Sequence, residues 1–364
     1  MNPKSYSPII ITGTTATGKT SLAFQLANHF QIQDIVACDS RQIFKHLDIV
    51  TGKDIPPGFE FQPVCKFQDY QIGYYQGVLK TSHQGQVSSL NLKPVRPLAE
   101  EEQGELLQKN SSLEDTNPNL NHEVRLWGFD LALPNQNFSV SNYRQIFIEA
   151  ILPRLSSTFL LVGGTGYFLD GIFSPKPTFS IPPDSQLRAE LSALTTLDLQ
   201  QKLKQLDSDK FSQMNNSDQN NPRRLIRAIE VASANRHPTL TTNNYPQITP
   251  IWIGLRFSDI NQLDEVIVQR VNARFQNPDL ASEIKFILKN NWQTFAPSQT
   301  LGYPQLISYF QNQITSDQAL TEWITKEKQY ARRQLTWFKK QPQIKWFSPG
   351  EFDSIKDYLA SQLN

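Results

Sequence analysis

Cysteine, methionine and histidine are scarce in this chain, at two, two and five of 364 residues. Cys38 and Cys65 alone build neither a disulfide framework nor a zinc quartet. The histidines (29, 46, 83, 122 and 237) lack the close spacing of a metal site, so ordinary core and surface roles are expected for them. Charge of one sign is missing too: Lys and Arg number 35, Asp and Glu 34. A net charge of +1 argues neither for nor against nucleic acid, because a basic face can be offset by acids elsewhere. No apolar run approaches the length of a membrane span, and the start shows no charged, apolar, small-residue leader. A reducing, cytoplasmic setting away from membranes is therefore expected. No internal repeat is present. Hydrophobic residues at 38% and aromatics at 11% are enough for a sizeable core, in one large domain or two ordinary ones.

Short β-branched or apolar runs stop abruptly at small or polar residues. Ile9-Ile10-Ile11-Thr12 stops at Gly13, and Ile35-Val36-Ala37 stops at Cys38-Asp39-Ser40. Phe159-Leu160-Leu161-Val162 stops at Gly163-Gly164-Thr165-Gly166, and Ile251-Trp252-Ile253-Gly254-Leu255 stops at Arg256. These read as buried strands. Leu22, Leu26 and Phe30 recur at helical spacing after the first, and Asp259 can cap a helix holding Leu263, Val266, Ile267 and Val271. The pattern predicts a mostly parallel α/β sheet with helices on both faces. Residues 56 to about 122 read as an insertion, part hairpin in "FQDYQIGYYQGV" and part flexible loop, with Glu100-Glu101-Glu102 as a charged patch. Residues 178–245 show helical periodicity around Leu187, Leu191, Leu194 and Leu203 and read as an inserted helical domain. The last long helix is expected from about Ser316 to Lys340, and "IKWF" at 344–347 is a candidate closing strand.

The chemistry-bearing motif is Gly13-Thr14-Thr15-Ala16-Thr17-Gly18-Lys19-Thr20, which fits G-x-x-x-x-G-K-[ST] between a predicted strand and a predicted helix. Glycines let backbone N–H groups turn inward, and the helix N-terminus adds positive potential for phosphate. Lys19 supplies a point charge, and the Thr20 hydroxyl can ligate Mg2+. Asp39 and Thr165 also follow predicted strands directly, so the carboxyl ends of the sheet can bring all three together. Asp39 fits a metal ligand, a general base or a helix N-cap. Basic residues cluster at Arg223, Arg224 and Arg227, at Arg270 and Arg274 four apart on one helical face, and along 326–340. In the last stretch Trp323, Tyr330 and Trp337 recur every seven residues, a spacing read mainly as core packing. The three patches favour phosphate or nucleic acid as partner.

Taken together, the motifs resemble the tRNA dimethylallyltransferases (tRNA isopentenyltransferases) of bacterial type. The resemblance rests on "GTTATGKTSLA", "DSRQIFKHLDI", "FSVSNYR", "LLVGGTGYFLDGI", "PRRLIRAIEV", "QRVNARF", "LGYPQL" and "QYARRQLTWFKK" in this order. It implies a P-loop catalytic core at 1–177 and 246–364, a variable insertion at about 56–122, and a helical tRNA-contacting domain at 178–245. It also implies transfer of a dimethylallyl group from dimethylallyl diphosphate to N6 of the adenosine 3′ of the anticodon. Asp39 matches the family's general base, with Thr165 and Arg274 completing the catalytic set. Gly13, Thr14, Thr15, Ala16, Thr17, Gly18, Lys19, Thr20 and Arg270 match the diphosphate site, with Mg2+ at Thr20. Contacts with the tRNA anticodon stem-loop are implied for Asp39, Ser40, Arg41, Gln42, Thr165, Arg188, Arg223, Arg224, Leu225, Ile226 and Arg227. Gly302, Tyr303, Arg332 and Arg333 belong to that implied set as well. A monomer is expected.

The chain departs from the family pattern at Thr14, where Pro is usual, at "TGKD" (51–54), at "NPDLASEI" (277–284) and at "KEKQYARRQ". Two other readings use the same loop: a P-loop kinase of a nucleotide or small metabolite, and a prenyltransferase acting on free AMP or ATP. The basic patches and the helical insertion count against both.

Overall fold

The computed structural model describes residues 4–80, 121–234 and 247–363. The chain forms two compact units, one of Met1–Ile172 with Pro246–Asn364 and one of Phe173–Tyr245. The strands of the first unit are β1 (Ile9–Gly13), β2 (Asp34–Ala37), β3 (Glu60–Phe67), β4 (Tyr70–Lys80), β5 (Asn121–Trp127), β6 (Leu160–Val162), β7 (Ile251–Leu255) and β8 (Lys345–Phe347). Among the described residues they form one sheet in the order β3-β4-β5-β2-β6-β1-β7-β8. From β5 to β8 every neighbouring pair is parallel, and β3-β4 and β4-β5 are antiparallel. β1 is central and buried throughout, which is why its sequence is an unbroken apolar run rather than an alternating one.

The hairpin in "FQDYQIGYYQGV", expected as part of an insertion at 56–122, continues the main sheet. Its second strand, β4, pairs with β5 over Tyr74–Lys80, and β5 pairs with β2. Phe59, Leu79, Val124 and Leu126 join the main hydrophobic core. Burial of that apolar face makes the hairpin an extension of the sheet. Residues 81–120, including the three glutamates, lie outside the described residues.

Helices of this unit before the helical unit are α1 (Lys19–Phe30), α2 (Val140–Gln145) and α3 (Gly166–Phe173). Within the helical unit lie α4 (Ser185–Ser192), α5 (Thr196–Leu206), α6 (Ser208–Gln213), α7 (Asn216–Gln219) and α8 (Pro222–Ser233). Each of these starts at a side chain that accepts from a first-turn N–H: Asp184, Thr195, Asp207, Asn215 and Asn221. Leu191, Leu199, Leu203, Leu225, Ala228 and Ile229 form the core of this unit. Leu194, expected on the buried face, is 40% exposed because α4 has already ended.

The remaining helices are α9 (Ile260–Phe275), α10 (Leu280–Lys289), α11 (Tyr303–Phe310), α12 (Ser316–Phe338) and α13 (Phe352–Leu363). Asp259 caps α9 through the N–H of Asn261, and β8 pairs in parallel with β7. α13 goes beyond the sequence expectation; it buries Ile355 and Leu359 in the main core. Both cysteines are free. Among the described residues, no helix is long and apolar enough to cross a membrane.

Candidate functional site

Because β2, β6 and β1 are consecutive in the sheet, their carboxyl-terminal exits open side by side. A cavity of about 560 Å3 lies there, and its lining includes Thr15, Lys19, Thr20, Asp39, Gly163 and Gly164. Gly18 precedes α1 with φ 81°, a left-handed conformation that suits glycine and aims the first helical N–H groups at the cavity. At the β6 exit, Thr165 Oγ1 lies 3.2 Å from both the backbone N–H and the hydroxyl of Ser40. Those contacts tie the two glycine-bordered and acid-bordered exits together. Asp39 does not cap a helix. Its Oδ1 accepts the N–H of Arg41 at 2.9 Å in a local turn, and among the described residues no helix follows before α2.

Four cations line the same cavity: Lys19, Arg41, Arg270 and Arg274. Lys19 donates to the Thr14 carbonyl at 2.6 Å. Arg270 and Arg274 project from one face of α9, an i, i+4 pair. Arg270 donates to Thr15 Oγ1 at 3.0 Å and lies 3.8 Å from Asp54. Arg274 donates to the Val50 carbonyl at 3.2 Å, and among the described residues its buried Nη2 has no hydrogen-bond partner. Desolvation and then the neighbouring Arg270 pull the Lys19 ammonium down to about 8, against the opposing pull of Asp39 and Asp54. Burial and Arg270 likewise bring Arg274 down to about 10. Like charges held this close favour an anion between them.

The "TGKD" loop builds the wall opposite. A Cβ on Gly52 would stand 1.7 Å from Nη2 of Arg274, so only glycine leaves that guanidinium its place. Gly52 also accepts from Gln42 at 2.7 Å. Lys53 is buried, donating to Asp48, Asp130 and the Phe44 carbonyl. Below the loop, Glu283 of α10 accepts the N–H groups of Asp48, Ile49 and Val50 at 2.8, 2.7 and 3.3 Å. Tyr303 donates its hydroxyl to the same carboxylate at 2.8 Å. Gly302, with φ 88°, packs against Trp323 and Val50. Gly302 and Tyr303, implied as tRNA contacts, therefore anchor this loop from inside: Tyr303 is fully buried.

α12 closes the cavity with a polar stripe that includes Tyr330, one of the three aromatics expected to pack in the core. Glu327, Tyr330 and Gln334 all line it. Gln334 accepts the Thr15 N–H at 2.8 Å and donates to the Gly164 carbonyl at 2.8 Å, bridging the exits of β1 and β6. Arg41 stacks over the Tyr330 ring at 4.1 Å and lies 3.9 Å from Glu327. The signal was present in the sequence as polar residues at i, i+3 and i+7 interrupting an otherwise apolar helix face. Trp323 is packed in the core as expected. Arg332 pairs with Asp264, and both Arg332 and Arg333 are exposed.

In the helical unit, Arg188 and Arg227 both pair with Glu230, which is 2% exposed. A buried carboxylate requires such partners, so these two guanidiniums are structural anchors before any ligand is considered. Arg224 pairs with Asp218. Leu225 is fully buried, and its side chain offers nothing to a ligand. Arg223 is exposed and makes no ion pair among the described residues.

A phosphate-binding loop at the first strand of a mostly parallel sheet, four cations and the adjacent Asp39 carboxylate define a P-loop α/β enzyme that handles an anionic substrate. The chain belongs to the IPP transferase family, whose model matches residues 115–341. A Synechocystis protein named tRNA dimethylallyltransferase is 28% identical over 361 residues, covering 98% of this chain and 96% of that protein. A protein of the same name from Flavobacterium johnsoniae is 28% identical, with 98% and 97% covered. Among solved structures, the tRNA isopentenylpyrophosphate transferase of Bacillus halodurans aligns over 99% of this chain and 97% of its own, with a TM-score of 0.57 at 21% identity. A eukaryotic dimethylallyltransferase described as acting on tRNA aligns with a TM-score of 0.62 at 17% identity, over 96% of this chain and 75% of its own. Both share the fold.

Proposed function

We propose that this chain transfers a dimethylallyl group from dimethylallyl diphosphate to N6 of the adenosine 3′ of the anticodon in tRNA, releasing diphosphate. The observation that carries this reading is the convergence of Lys19, Arg270 and Arg274 on one cavity beside Asp39. Donor and acceptor follow the names of the family's relatives. In the reaction, the allylic C–O bond breaks and the diphosphate oxygen keeps the electron pair. The N6 nitrogen forms the new C–N bond, and its proton passes to the Asp39 carboxylate. Loop N–H groups, Lys19, Arg270 and Arg274 stabilise the charge that develops on the leaving diphosphate. Asp39 is needed because an exocyclic amine is a poor nucleophile, its lone pair delocalised into the ring.

The Thr20 hydroxyl and the Asp54 carboxylate on the same cavity are hard oxygen ligands of the kind Mg2+ takes. Thr20 would hold the ion, which would supply further neutralisation of the diphosphate. The acceptor base must leave the anticodon stack to enter the cavity. Arg41 and Gln42, which line the cavity, and Ser40 and Thr165 beside it are candidates to hold it, and the exposed Arg223, Arg332 and Arg333 are candidates for the RNA backbone. The chain is taken to act as a monomer on cytoplasmic tRNA.

Purified protein with Mg2+, labelled dimethylallyl diphosphate and unmodified tRNA is expected to place label on an adenosine beside the anticodon. Label on AMP but not on tRNA moves the reading to the free-nucleotide prenyltransferases, and phosphoryl transfer from ATP without prenylation moves it to the kinases. Asp39→Ala is expected to lower turnover by about 10²–10⁴-fold while tRNA binding is retained. Loss of tRNA binding in that variant would assign Asp39 to RNA grip instead.

A further inference from the structure

Gln334 of α12 joins two strand exits through one amide. Its Oε1 accepts the Thr15 N–H at 2.8 Å, in the phosphate loop after β1. Its Nε2 donates to the Gly164 carbonyl at 2.8 Å, in the turn after β6. The residue is only 6% exposed, so water does not compete strongly for either bond. Both ends of the bridge carry functional groups. Thr15 also takes Arg270 through its hydroxyl at 3.0 Å, and the residue after Gly164 is Thr165, whose hydroxyl lies 3.2 Å from the Ser40 N–H. A Cβ on Gly164 would stand 2.7 Å from Gln334 Nε2, and one on Gly166 would collide with the Trp337 ring. Gln334 and Trp337, three residues apart on α12, therefore grip the turn on either side of Thr165. The glycines bordering Thr165 leave room for that grip.

We propose that Gln334 is a positioning residue for the transfer: one side chain sets the spacing between the loop that holds the leaving diphosphate and the turn that carries Thr165. The task needs a group that accepts at one atom and donates at another. A primary amide does both without charge, whereas a carboxylate only accepts and an ammonium only donates. Neutrality matters because Lys19 Nζ lies 3.6 Å from where a Gly164 Cβ would stand, so a charge on this bridge would act on the diphosphate site directly. The same two exits are also tied without Gln334: the Gly163 N–H bonds the Ile11 carbonyl at 3.1 Å, and the Thr12 hydroxyl donates to the Gly163 carbonyl at 2.9 Å. Loss of the amide bridge therefore lets the loop and the turn drift while the sheet stays closed. Transfer between two bound groups is sensitive to such drift, since a misplacement of about 1 Å costs roughly a hundredfold in rate.

The inference rests on the proposed function, and one experiment separates the two. Single-turnover transfer to tRNA is measured for the wild type, Gln334→Met, Gly164→Ala and the double variant, with diphosphate affinity, tRNA affinity and thermal unfolding measured for each. Gln334→Met keeps the length of the side chain and removes both hydrogen bonds. Gly164→Ala displaces only the far end of the Gln334 side chain, so it breaks the bridge at little cost to folding. Each single variant is expected to lower the transfer rate at saturating donor and tRNA by about tenfold to a hundredfold, with either affinity changed by less than about threefold. The double variant is expected to be little slower than the slower single variant, because both act through one contact. A Gln334→Met rate equal to wild type, or a double variant slowed by the product of both effects, overturns the inference. A loss of diphosphate affinity as large as the loss of rate overturns it too, since that marks donor grip alone. Should Gln334→Met fail to fold, a wild-type rate in Gly164→Ala overturns it. Absence of transfer by the wild type overturns the proposed function, and the inference with it.

Discussion

Lys19 shows how much one residue's chemistry depends on its neighbours. Its ammonium is held near 8 by desolvation and by Arg270, so it loses its proton within reach of ordinary assay conditions. An anionic diphosphate binds the protonated form and raises that pKa on binding. Donor kcat/KM is therefore expected to be full below about pH 8 and to fall as pH rises through it. Arg270→Ala removes a like charge, so the alkaline limb should move to higher pH even as affinity at neutral pH drops. A limb that stays in place in Arg270→Ala would show that another group controls it. At this scale the loop, Lys19, Thr20 and Asp39 are legible in the sequence, because a glycine-rich spacing after an apolar strand has few other uses. Tyr330 is not, because heptad-spaced aromatics on a helix look the same whether they face a core or a cavity; Glu327 and Gln334 leave only the polar breaks in an apolar helix face.

Elements matter here through what they hold still. The segment 48–54 has no regular structure of its own; three of its N–H groups are satisfied by the single carboxylate of Glu283, reached across the fold from α10. It in turn presents the Val50 carbonyl to Arg274. Glu283→Ala is expected to destabilise the protein by roughly 3 kcal/mol, since several buried N–H groups lose their acceptor, and to weaken diphosphate binding through Arg274. Burial pushes the Glu283 carboxyl above its ordinary range, against the lowering pull of its hydrogen bonds. Its contribution to stability is then full below the usual carboxylate pKa and diminishes as pH rises through the raised value. Glu283→Gln should flatten that dependence in thermal unfolding measured against pH. The same scale explains the hairpin β3-β4. Its alternating sequence marks strands, but only pairing with β5 makes them part of the main sheet.

Over the whole molecule, all the residues lining the cavity belong to the unit that holds the sheet, whereas Arg188, Arg223, Arg224 and Arg227 belong to the helical unit with its own small core. Damage to that core should therefore separate the two halves of the reaction. Leu225→Ala removes a fully buried side chain and is expected to cost the helical unit roughly 3 kcal/mol. Transfer to tRNA should fall while diphosphate binding, measured by calorimetry, persists. Equal loss of both would show that the two units fold as one.

The sequence by itself determined the parallel α/β core, the helical unit and the phosphate loop, because apolar runs, helix caps and glycine spacing act locally. It also carried the ordered motifs that mark the family. Only the tertiary structure decided that Arg188 serves Glu230, that Tyr303 faces inward, and that Gln334 bridges the β1 and β6 exits. Those assignments depend on which charged or polar group lies across the fold. Pairing over tens or hundreds of residues leaves no periodic trace along the chain.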